Sequence, residues 1–252
     1  MGTYVVGDIH GCYDEWIQLK DRIEKEDTNA RFILVGDIID RGPKTIEMLN
    51  WAKKNITEDG KYQMILGNHE HEKILWWDNW FIPKYREYQY AGVPCGLDII
   101  YTDNYGFSEL FIERSLGVSD FREAISFFRK LPLYKDLVIN NQRYIIAHAN
   151  IPYSIIKEDN TLSKKLNSKQ IEYIVWDRDT SNFEKIENVI LVNGHNPSVF
   201  PDCVVKGGEL EKIQYHRNRI SIDCGLVYRS HMKIGNLAAI RLEDKKEFYL
   251  YN

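Results

Sequence analysis

Five short apolar runs in this sequence each lead directly into polar side chains of the types that bind metal ions. The segments that follow these runs are Gly7-Asp8-Ile9-His10-Gly11, Gly36-Asp37-Ile38-Ile39-Asp40-Arg41-Gly42, Gly67-Asn68-His69-Glu70, Ala147-His148-Ala149-Asn150 and Asn193-Gly194-His195. In open α/β sheets the carboxyl ends of the strands form the ligand crevice. The pattern therefore predicts that carboxylates, imidazoles and an amide converge on one sheet edge.

This mixture of donor groups predicts a centre for two divalent metal ions. The candidate ligands are Asp8, His10, Asp37, Asn68, His148 and His195. Imidazole with carboxylate and carbonyl oxygen suits manganese, iron or zinc better than calcium or magnesium alone. Two metals about 3.5–4 Å apart need a bridging carboxylate, and Asp37 is the natural bridge because it lies centrally among the motifs. Each motif alone is more often structural, but five independent coincidences at five strand ends are not expected.

The elements that must position these residues alternate in type along the first seventy residues. Buried strands are predicted at 4–6, 32–35 and 64–66, and helices at 12–26 and from 43 to about 55. Strand patterns return at 144–147, 189–192, 220–222, 237–240 and near 248–250. They lack long helical spacers, which favours antiparallel pairing in the second half. The predicted fold class is α/β (α+β), with helices on the faces of the sheets.

Residues 71–131 interrupt this alternation with a segment rich in aromatic side chains. We predict a mainly helical insert within a single domain that covers residues 1–252. The chain is 44% hydrophobic, which suffices for one well-buried core. Aromatic stripes are more often core than ligand platforms, so packing on the core is the first expectation and contact with substrate the second.

Charge and cysteine content argue against several functional classes. The 33 basic and 37 acidic residues give a net charge of −4 with no block of like charge, so general binding to nucleic acid or a membrane surface is not expected. None of the four cysteines belongs to a Cys-x-x-Cys pair or is followed six positions later by arginine, which argues against structural zinc and a cysteine-dependent phosphatase. With no leader-like segment and no apolar run of bilayer length, we expect a soluble, cytoplasmic protein. The oligomeric state is not predicted.

Three of the segments resemble the signature motifs of the metallo-dependent phosphoprotein phosphatase (calcineurin-like metallophosphoesterase) family. They are Gly7-Asp8-Ile9-His10-Gly11, Gly36-Asp37-Ile38-Ile39-Asp40-Arg41-Gly42 and Gly67-Asn68-His69-Glu70. The resemblance continues at His148, Trp176-Asp177-Arg178, Gly194-His195 and Ile222-Asp223-Cys224-Gly225. It is closest to the small bacterial and phage serine/threonine/tyrosine phosphatases. It implies a β-sandwich of mixed sheets flanked by helices.

The resemblance also implies a role for each matching residue. One metal would be held by Asp8, His10 and Asp37, and the other by Asp37, Asn68, His148 and His195. His69 would be the general acid for the leaving oxygen, oriented by Asp40. The phosphoryl group would be bound by Arg41, Arg178 and Asn68. The expected cofactor is a pair of Mn²⁺ ions, with iron, zinc and nickel as alternatives.

These roles describe a direct hydrolysis of phosphomonoesters. Water shared by two divalent cations becomes hydroxide near neutral pH and can attack phosphorus in line. Arginine suits the clamp because its planar fork bonds two oxygens at once and keeps its charge. The alkoxide of serine is a poor leaving group, so a proton from His69 is needed. The expected substrates are phosphoserine and phosphothreonine, with phosphotyrosine also considered, on a phosphoprotein or phosphopeptide, or a small phosphoester.

Two alternatives to a protein phosphatase remain open. Relatives that hydrolyse diadenosine tetraphosphate typically have a small residue in place of Asp40 and Asp in place of Glu70, so this chain favours the phosphoprotein branch. An aromatic insert could nevertheless stack a nucleotide base. A catalytically silent metal-binding or partner-binding module is less expected, because His69, Asp40 and both arginines are present. Asn150 stands where the family usually has Gly, or Asp in some phage-like members, which leaves the shape of the entrance open.

Overall fold

The computed structural model of the protein describes residues 2–91, 106–157, 166–179 and 188–251. Its strands form two five-stranded sheets, and both sheets mix parallel with antiparallel pairs. The predicted α/β class, with mixed sheets flanked by helices, is confirmed. Among the described residues, no helix is both long enough and apolar enough to cross a bilayer. Part of the aromatic segment and Cys95 lie outside the described residues.

The first sheet has the strand order β10-β9-β1-β2-β3. Its strands are β1 (Thr3–Val6), β2 (Arg31–Leu34), β3 (Tyr62–Met64), β9 (Ala238–Arg241) and β10 (Glu247–Tyr249). The strands β1, β2 and β3 run parallel, linked by the helices α1 (Tyr13–Glu26) and α2 (Thr45–Asn55). The strand β9 pairs antiparallel with β1, and β10 pairs antiparallel with β9. The third strand lies two residues before its predicted position.

The second sheet has the order β4-β5-β6-β8-β7. Its strands are β4 (Tyr134–Ile139), β5 (Gln142–Ala147), β6 (Val189–Asn193), β7 (Gln214–Tyr215) and β8 (Arg219–Ser221). Only the outer pairs, β4 with β5 and β7 with β8, are antiparallel, while β5, β6 and β8 are parallel. The expected antiparallel character of the second half therefore holds at sheet edges and around β9, but not in the centre of this sheet. The helices α7 (Tyr153–Lys157) and α8 (Ser168–Trp176) lie between β5 and β6 in the chain.

Side-chain alternation along the strands separates the layers of this sandwich. On β1, Tyr4 and Val6 face the core beneath α1 and α2, whereas Val5 faces the second sheet. On β5, Ile146 faces the first sheet, whereas Ile145 packs against α7 and α8. Successive residues of a strand point to opposite faces, so a strand that is apolar on every residue is covered on both faces. The layers of the fold therefore stack in the order helices, sheet, sheet, helices.

The described part of the aromatic segment is helical. It contains α3 (Asn68–Trp76), a π-helical turn (Trp77–Phe81), α4 (Ile82–Tyr90), α5 (Phe107–Glu113) and α6 (Val118–Phe128). Its buried rings, among them Trp77, Phe81 and Phe121, join the core that also lies beneath α1 and α2. Most of the described rings therefore pack on the core, which was the first expectation for them. Trp80 and Tyr90, in contrast, are largely exposed. The helix α9 (Arg229–Met232) precedes β9.

Candidate metal centre

Parallel register brings the predicted segments to one edge of the two sheets. Val6 pairs with Leu34 in the first sheet, so the turns that follow β1 and β2 leave at the same level. Ile146 pairs with Val192 in the second sheet, with the same consequence for the turns after β5 and β6. A backbone hydrogen bond from Gly194 N to the carbonyl oxygen of His148 (3.0 Å) ties those two turns together. Leu34 also pairs with Met64 of β3, and Asn68 and Asp37 of the first sheet contact His148 of the second. The carboxyl ends of five strands therefore meet, as the sequence pattern predicts.

Asp37 lies at the centre of the cluster. Its Oδ1 accepts a hydrogen bond from the backbone N–H of His69 (3.0 Å) in the first turn of α3, where a carboxylate is stabilised. Its Oδ2 faces the Nε2 atoms of three imidazoles, at 3.6 Å for His10, 3.4 Å for His148 and 3.9 Å for His69. One oxygen is thus held by the backbone, and the other is surrounded by nitrogen atoms. This placement suits the bridging role predicted for Asp37.

Backbone carbonyl groups orient the three predicted histidine ligands. The Nδ1 atoms of His10 and His148 lie 3.0 Å and 2.8 Å from the carbonyl oxygens of Ile39 and Val35. The Nε2 of His195 lies 3.2 Å from the carbonyl oxygen of Trp176. A ring N–H that donates to such an oxygen fixes the tautomer and leaves the other nitrogen for a metal. In each case that other nitrogen faces Asp37 or Asn68.

Asn68 joins the two histidines of the second sheet. Its Oδ1 lies 2.8 Å from His148 Nε2 and 2.9 Å from His195 Nδ1. Burial, followed by the charge of His148, lowers the pKa of His195 to about 3. Neutral His195 has a single N–H, which can serve either the carbonyl oxygen of Trp176 or Asn68 Oδ1, but not both. If the N–H of His195 donates to Trp176, a cation next to His195 Nδ1 and Asn68 Oδ1 would bind both of these atoms. The donor set therefore fits a metal ion.

Asp8 contacts the turn that follows β6. Its Oδ2 and Oδ1 are 3.2 Å and 3.4 Å from the backbone N of His195. A methyl group at Gly194 would lie 2.0 Å from Asp8 Oδ1, so only glycine permits this approach. Burial, followed by the charge of Asp223, raises the pKa of Asp8 well above its ordinary value. A cation next to this carboxyl group would favour its charged form.

The backbone is strained at several of the predicted site residues. Positive φ angles occur at His10 (46°), Asp37 (51°), Asp40 (66°), Arg41 (66°) and His195 (69°). Residues with side chains adopt this region rarely and at a cost of about 1–3 kcal/mol each. Such conformations persist only where the surrounding structure enforces them, and they cluster at functional sites. Here they turn the side chains of short loops towards a common centre.

Charge balance couples the members of the centre. Burial alone would raise the pKa of Asp37, but the neighbouring imidazoles of His148 and His69 outweigh it and hold that pKa well below its ordinary value. Burial alone would lower the pKa of His148, but Asp37 outweighs it and raises the pKa to about 10. Asp37 thus favours the protonated form of His148. Cation binding must displace such a proton.

His69 and Asp40 form a buried pair next to the predicted ligands. His69 Nδ1 lies 2.7 Å from Asp40 Oδ2, and both side chains are almost inaccessible to solvent. The ring packs edge-on against His10, with 4.7 Å between ring centroids. Two groups of side chains bring potential ligand atoms within 4.8 Å of one another. One group is His10, Asp37 and His69, and the other is Asp37, His148 and His195. Geometry alone would thus allow His69 to be a metal ligand or a proton donor.

Both predicted phosphate-binding arginines lie at the exposed rim. Arg41 Nη1 is 3.2 Å from His10 Nε2. Arg178 donates from Nη1 to the carbonyl oxygen of His195 (3.1 Å) and to Oδ1 of Asn196 (3.0 Å). The short Trp-Asp-Arg match therefore lies beside a predicted ligand. Positively charged groups at the rim can receive an anionic substrate.

Asn150 is a buried connector of the loop that carries Arg178. Its Nδ2 donates to Oδ2 of Asp177 (2.6 Å) and to the carbonyl oxygen of Asp179 (2.8 Å). Its Oδ1 accepts from Nη2 of Arg219 (3.0 Å). Glycine could not make these bonds. The departure from the family pattern thus creates an anchor on each side of Arg178.

Two buried charged residues of α3 had no predicted role in the site. Glu70 accepts from the backbone N–H groups of Asp37 (2.9 Å), Ile38 (2.9 Å) and Gly67 (3.2 Å) and so holds the loop after β2 on the start of α3. Burial, followed by the charge of Asp37, raises the pKa of Glu70 to about 7. Lys73 lies in the interior beside Asp40. Its spacing of four residues from His69 is the one sequence signal that could have revealed it, because such residues share a helix face.

Relatives found by sequence comparison carry the name of a nucleotide hydrolase. The chain is 27% identical over 220 residues to the symmetrical bis(5'-nucleosyl)-tetraphosphatase of Buchnera aphidicola, which covers 86% of this chain and 66% of that protein. It is 41% identical over 70 residues to the protein of the same name from Methylobacillus flagellatus, which covers 28% of this chain and 24% of that protein. The chain thus spans less than two thirds of the length of these relatives.

Solved structures with the same fold carry several names. A putative diadenosine tetraphosphatase aligns over 98% of this chain and 92% of its own, with a TM-score of 0.56 and 15% identity. A protein-tyrosine phosphatase of Shewanella aligns over 98% and 80%, with a TM-score of 0.55 and 17% identity. A serine/threonine phosphatase of Saccharomyces cerevisiae aligns over 99% and 78%, with a TM-score of 0.59 and 14% identity. At such low identity these structures establish the fold alone.

The family assignment rests on a match that covers most of the chain. The family model described as calcineurin-like phosphoesterase matches residues 1–232. This range contains every predicted ligand, the His69–Asp40 pair and both rim arginines. The resemblance seen in the motifs is thereby confirmed at the level of the family: the chain belongs to the calcineurin-like phosphoesterases.

Proposed function

We propose that this chain is a metal-dependent phosphatase of phosphomonoesters with poor leaving groups, above all phosphoserine and phosphothreonine in proteins. The observation that carries the proposal is the buried pair of His69 and Asp40, with 2.7 Å between Nδ1 and Oδ2. A proton donor beside the centre matters most when the leaving group is an alkoxide. A metal-binding module without activity would have no use for such a pair.

The residues that would hold two divalent cations are Asp8, His10, Asp37, Asn68, His148 and His195. When bound, the cations would activate water and neutralise the phosphoryl oxygens. Manganese is our first choice because the donors combine nitrogen with oxygen, and iron, zinc and nickel share this preference. All six side chains are almost completely buried, which strengthens their electrostatic attraction to a cation.

The remaining residues have roles outside the metal coordination. Arg41 and Arg178 bind the phosphoryl oxygens from the rim and hold the substrate for in-line attack. Asp40 orients the imidazole of His69 so that Nε2 points away from it. A protonated His69 then donates from Nε2 to the leaving oxygen. Glu70 supports this arrangement because it fixes the loop that carries Asp37.

A second candidate function is the hydrolysis of dinucleoside tetraphosphates. The names of the relatives favour it, although the chain spans only 66% or 24% of their lengths. The leaving group in such a reaction is a nucleotide phosphate, which is far less basic than an alkoxide and depends less on a proton donor. The His69–Asp40 pair therefore supports a phosphomonoester as the substrate, and the names of the relatives support a dinucleoside tetraphosphate.

A competition between substrates tests these proposals. The chain is loaded with Mn²⁺, and kcat/KM is measured for phosphoserine and phosphotyrosine peptides and for diadenosine tetraphosphate. We expect at least a tenfold preference for the phosphoserine peptide, which is about 1.4 kcal/mol of transition-state binding. A preference of this size for the dinucleotide would replace the first proposal by the second. No hydrolysis of any phosphate compound, with metal bound, would refute both.

A further inference from the structure

Lys73 is a lysine without access to solvent, one helical turn after His69. Its side chain is 0% exposed, and its Nζ lies 3.0 Å from Asp40 Oδ2. The same oxygen atom lies 2.7 Å from His69 Nδ1. One carboxylate oxygen is therefore shared between the imidazole and a buried ammonium group. The second acidic neighbour, Glu72, is more distant, at 3.6 Å from Nζ.

The side chain of Lys73 ends in the interior of the protein. The ring of Phe107, at the start of α5, lies 5.8 Å from Nζ and is itself fully buried. Lysine is almost never fully buried unless it is paired, because removing its charge from water is costly. Its flexible stem normally reaches the surface. Here Phe107 of α5 lies over it, and the ion pair with Asp40 offsets part of the lost hydration.

Asp40 needs such a partner because few other groups hold it. Its side chain is also 0% exposed, and its backbone has a φ of 66°. Among the described residues, its Oδ1 has no hydrogen-bond donor. The orientation of the carboxylate therefore depends on what Oδ2 contacts. Among the side chains that the structure describes, loss of the ammonium group would leave His69 as the partner of Oδ2, and a buried carboxylate with so few partners is costly to hold in place.

We propose that Lys73 is a positioning residue that fixes Asp40 and, through Asp40, the imidazole that donates the proton. The proposal rests on the phosphatase function proposed above. The proposal also assigns a role to one ring of the aromatic segment, because Phe107 of α5 covers the ammonium group. Lys73 reaches the centre through Asp40 Oδ2, so its effect is expected on the proton donor.

The effect of Lys73 is therefore expected to depend on the leaving group. A variant that loosens His69 should slow the release of an alkoxide and leave the release of a weakly basic aryl oxide nearly unchanged. A change that merely loosened the fold would slow both reactions equally. The ratio of the two rates thus separates positioning from a general structural role.

The test compares Lys73→Met with the wild type, both loaded with Mn²⁺, on a phosphoserine peptide and on an activated aryl phosphate. We expect kcat on the peptide to fall about 10–100-fold, with less than about a threefold change on the aryl ester and unchanged KM and metal content. In the His69→Asn background, Lys73→Met should cause no further loss, because residues that act through one another are not additive. Lys73→Arg, which keeps the charge, should recover part of the rate.

Lys53→Met is the matched control, since Lys53 forms an ion pair with Glu123 (3.0 Å) away from the centre. It should leave both rates unchanged. Should Lys73→Met fail to fold, Lys73→Gln keeps a donor without the charge and is measured in the same way. Equal losses on both substrates, or a full additional loss in the His69→Asn background, would overturn the proposal. A wild type inactive on both esters would instead refute the phosphatase function.

Discussion

The replacement of His69 by asparagine is the most direct test of how the centre works. Asparagine keeps a hydrogen-bonding group next to Asp40 but cannot donate a proton from the position of Nε2. The imidazole is fully buried, and its Nδ1 lies 2.7 Å from Asp40 Oδ2. The variant therefore removes the proton donor and one partner of an internal carboxylate, while Lys73 remains at 3.0 Å from that carboxylate.

The expected loss follows from the chemistry of the leaving group. General acid catalysis contributes about 10²–10⁴-fold to rates, so kcat on a phosphoserine peptide should fall by about 10³-fold, or about 4 kcal/mol in activation free energy. An aryl ester whose leaving group needs little protonation should lose about tenfold or less. The assay is steady-state kinetics on both esters, with the bound metal counted per chain.

The metal count makes the result decisive. The Nε2 of His69 lies 3.9 Å from Asp37 Oδ2, close enough that a shared cation could reach both. If His69 donates a proton, the variant keeps its metal and loses rate selectively on the peptide. Loss of one metal together with equal losses on both esters would show that His69 is a ligand instead, and the reasoning from the Asp40 pair would be wrong.

Three further predictions concern the supports of the site and the stability of the fold. Asn150→Ala should lower kcat/KM about tenfold with metal content unchanged, because the loop of Arg178 loses its anchors; steady-state kinetics and metal analysis check this, and an unchanged kcat/KM would contradict it. Gly194→Ala should weaken Mn²⁺ binding at least about tenfold in calorimetric titration, because a methyl group would lie 2.0 Å from Asp8 Oδ1; wild-type affinity would show that the site adjusts. Burial alone would raise the pKa of Glu24, but hydrogen bonds from two lysines and a tyrosine outweigh it and lower it. A lowered folded-state pKa stabilises the fold above the ordinary pKa of about 4.3, and this contribution is lost as the pH falls. Glu24→Gln should therefore reduce the free energy of unfolding by about 1 kcal/mol at pH 7 and by less near pH 3.5, as urea denaturation would measure; a constant difference would refute the assignment.

Much of the fold is encoded in local patterns that can be recognised without tertiary information. Short apolar runs such as Val5-Val6 must be covered on both faces, and glycine with polar residues at their ends marks a turn at a ligand crevice. The limits of the strands were less predictable. Ile65 and Leu66 are apolar, yet the backbone N–H of Leu66 bonds to the carbonyl oxygen of Pro132 instead of a neighbouring strand. A segment is a strand only where its backbone hydrogen-bonds to a neighbouring strand, and this depends on the tertiary structure.

The sequence by itself determined which side chains meet at the sheet edge, because each follows its strand by one to four residues and parallel strands end together. Tertiary structure decided how those side chains are held. The tautomer of His148 depends on the carbonyl of Val35, which is 113 residues away, and Asn150 meets Arg219 across 69 residues. The sharing of Asp40 between His69 and Lys73 likewise requires α3 to pack on the loop after β2. Contacts of this kind arise from the packing of whole elements, which no local spacing encodes.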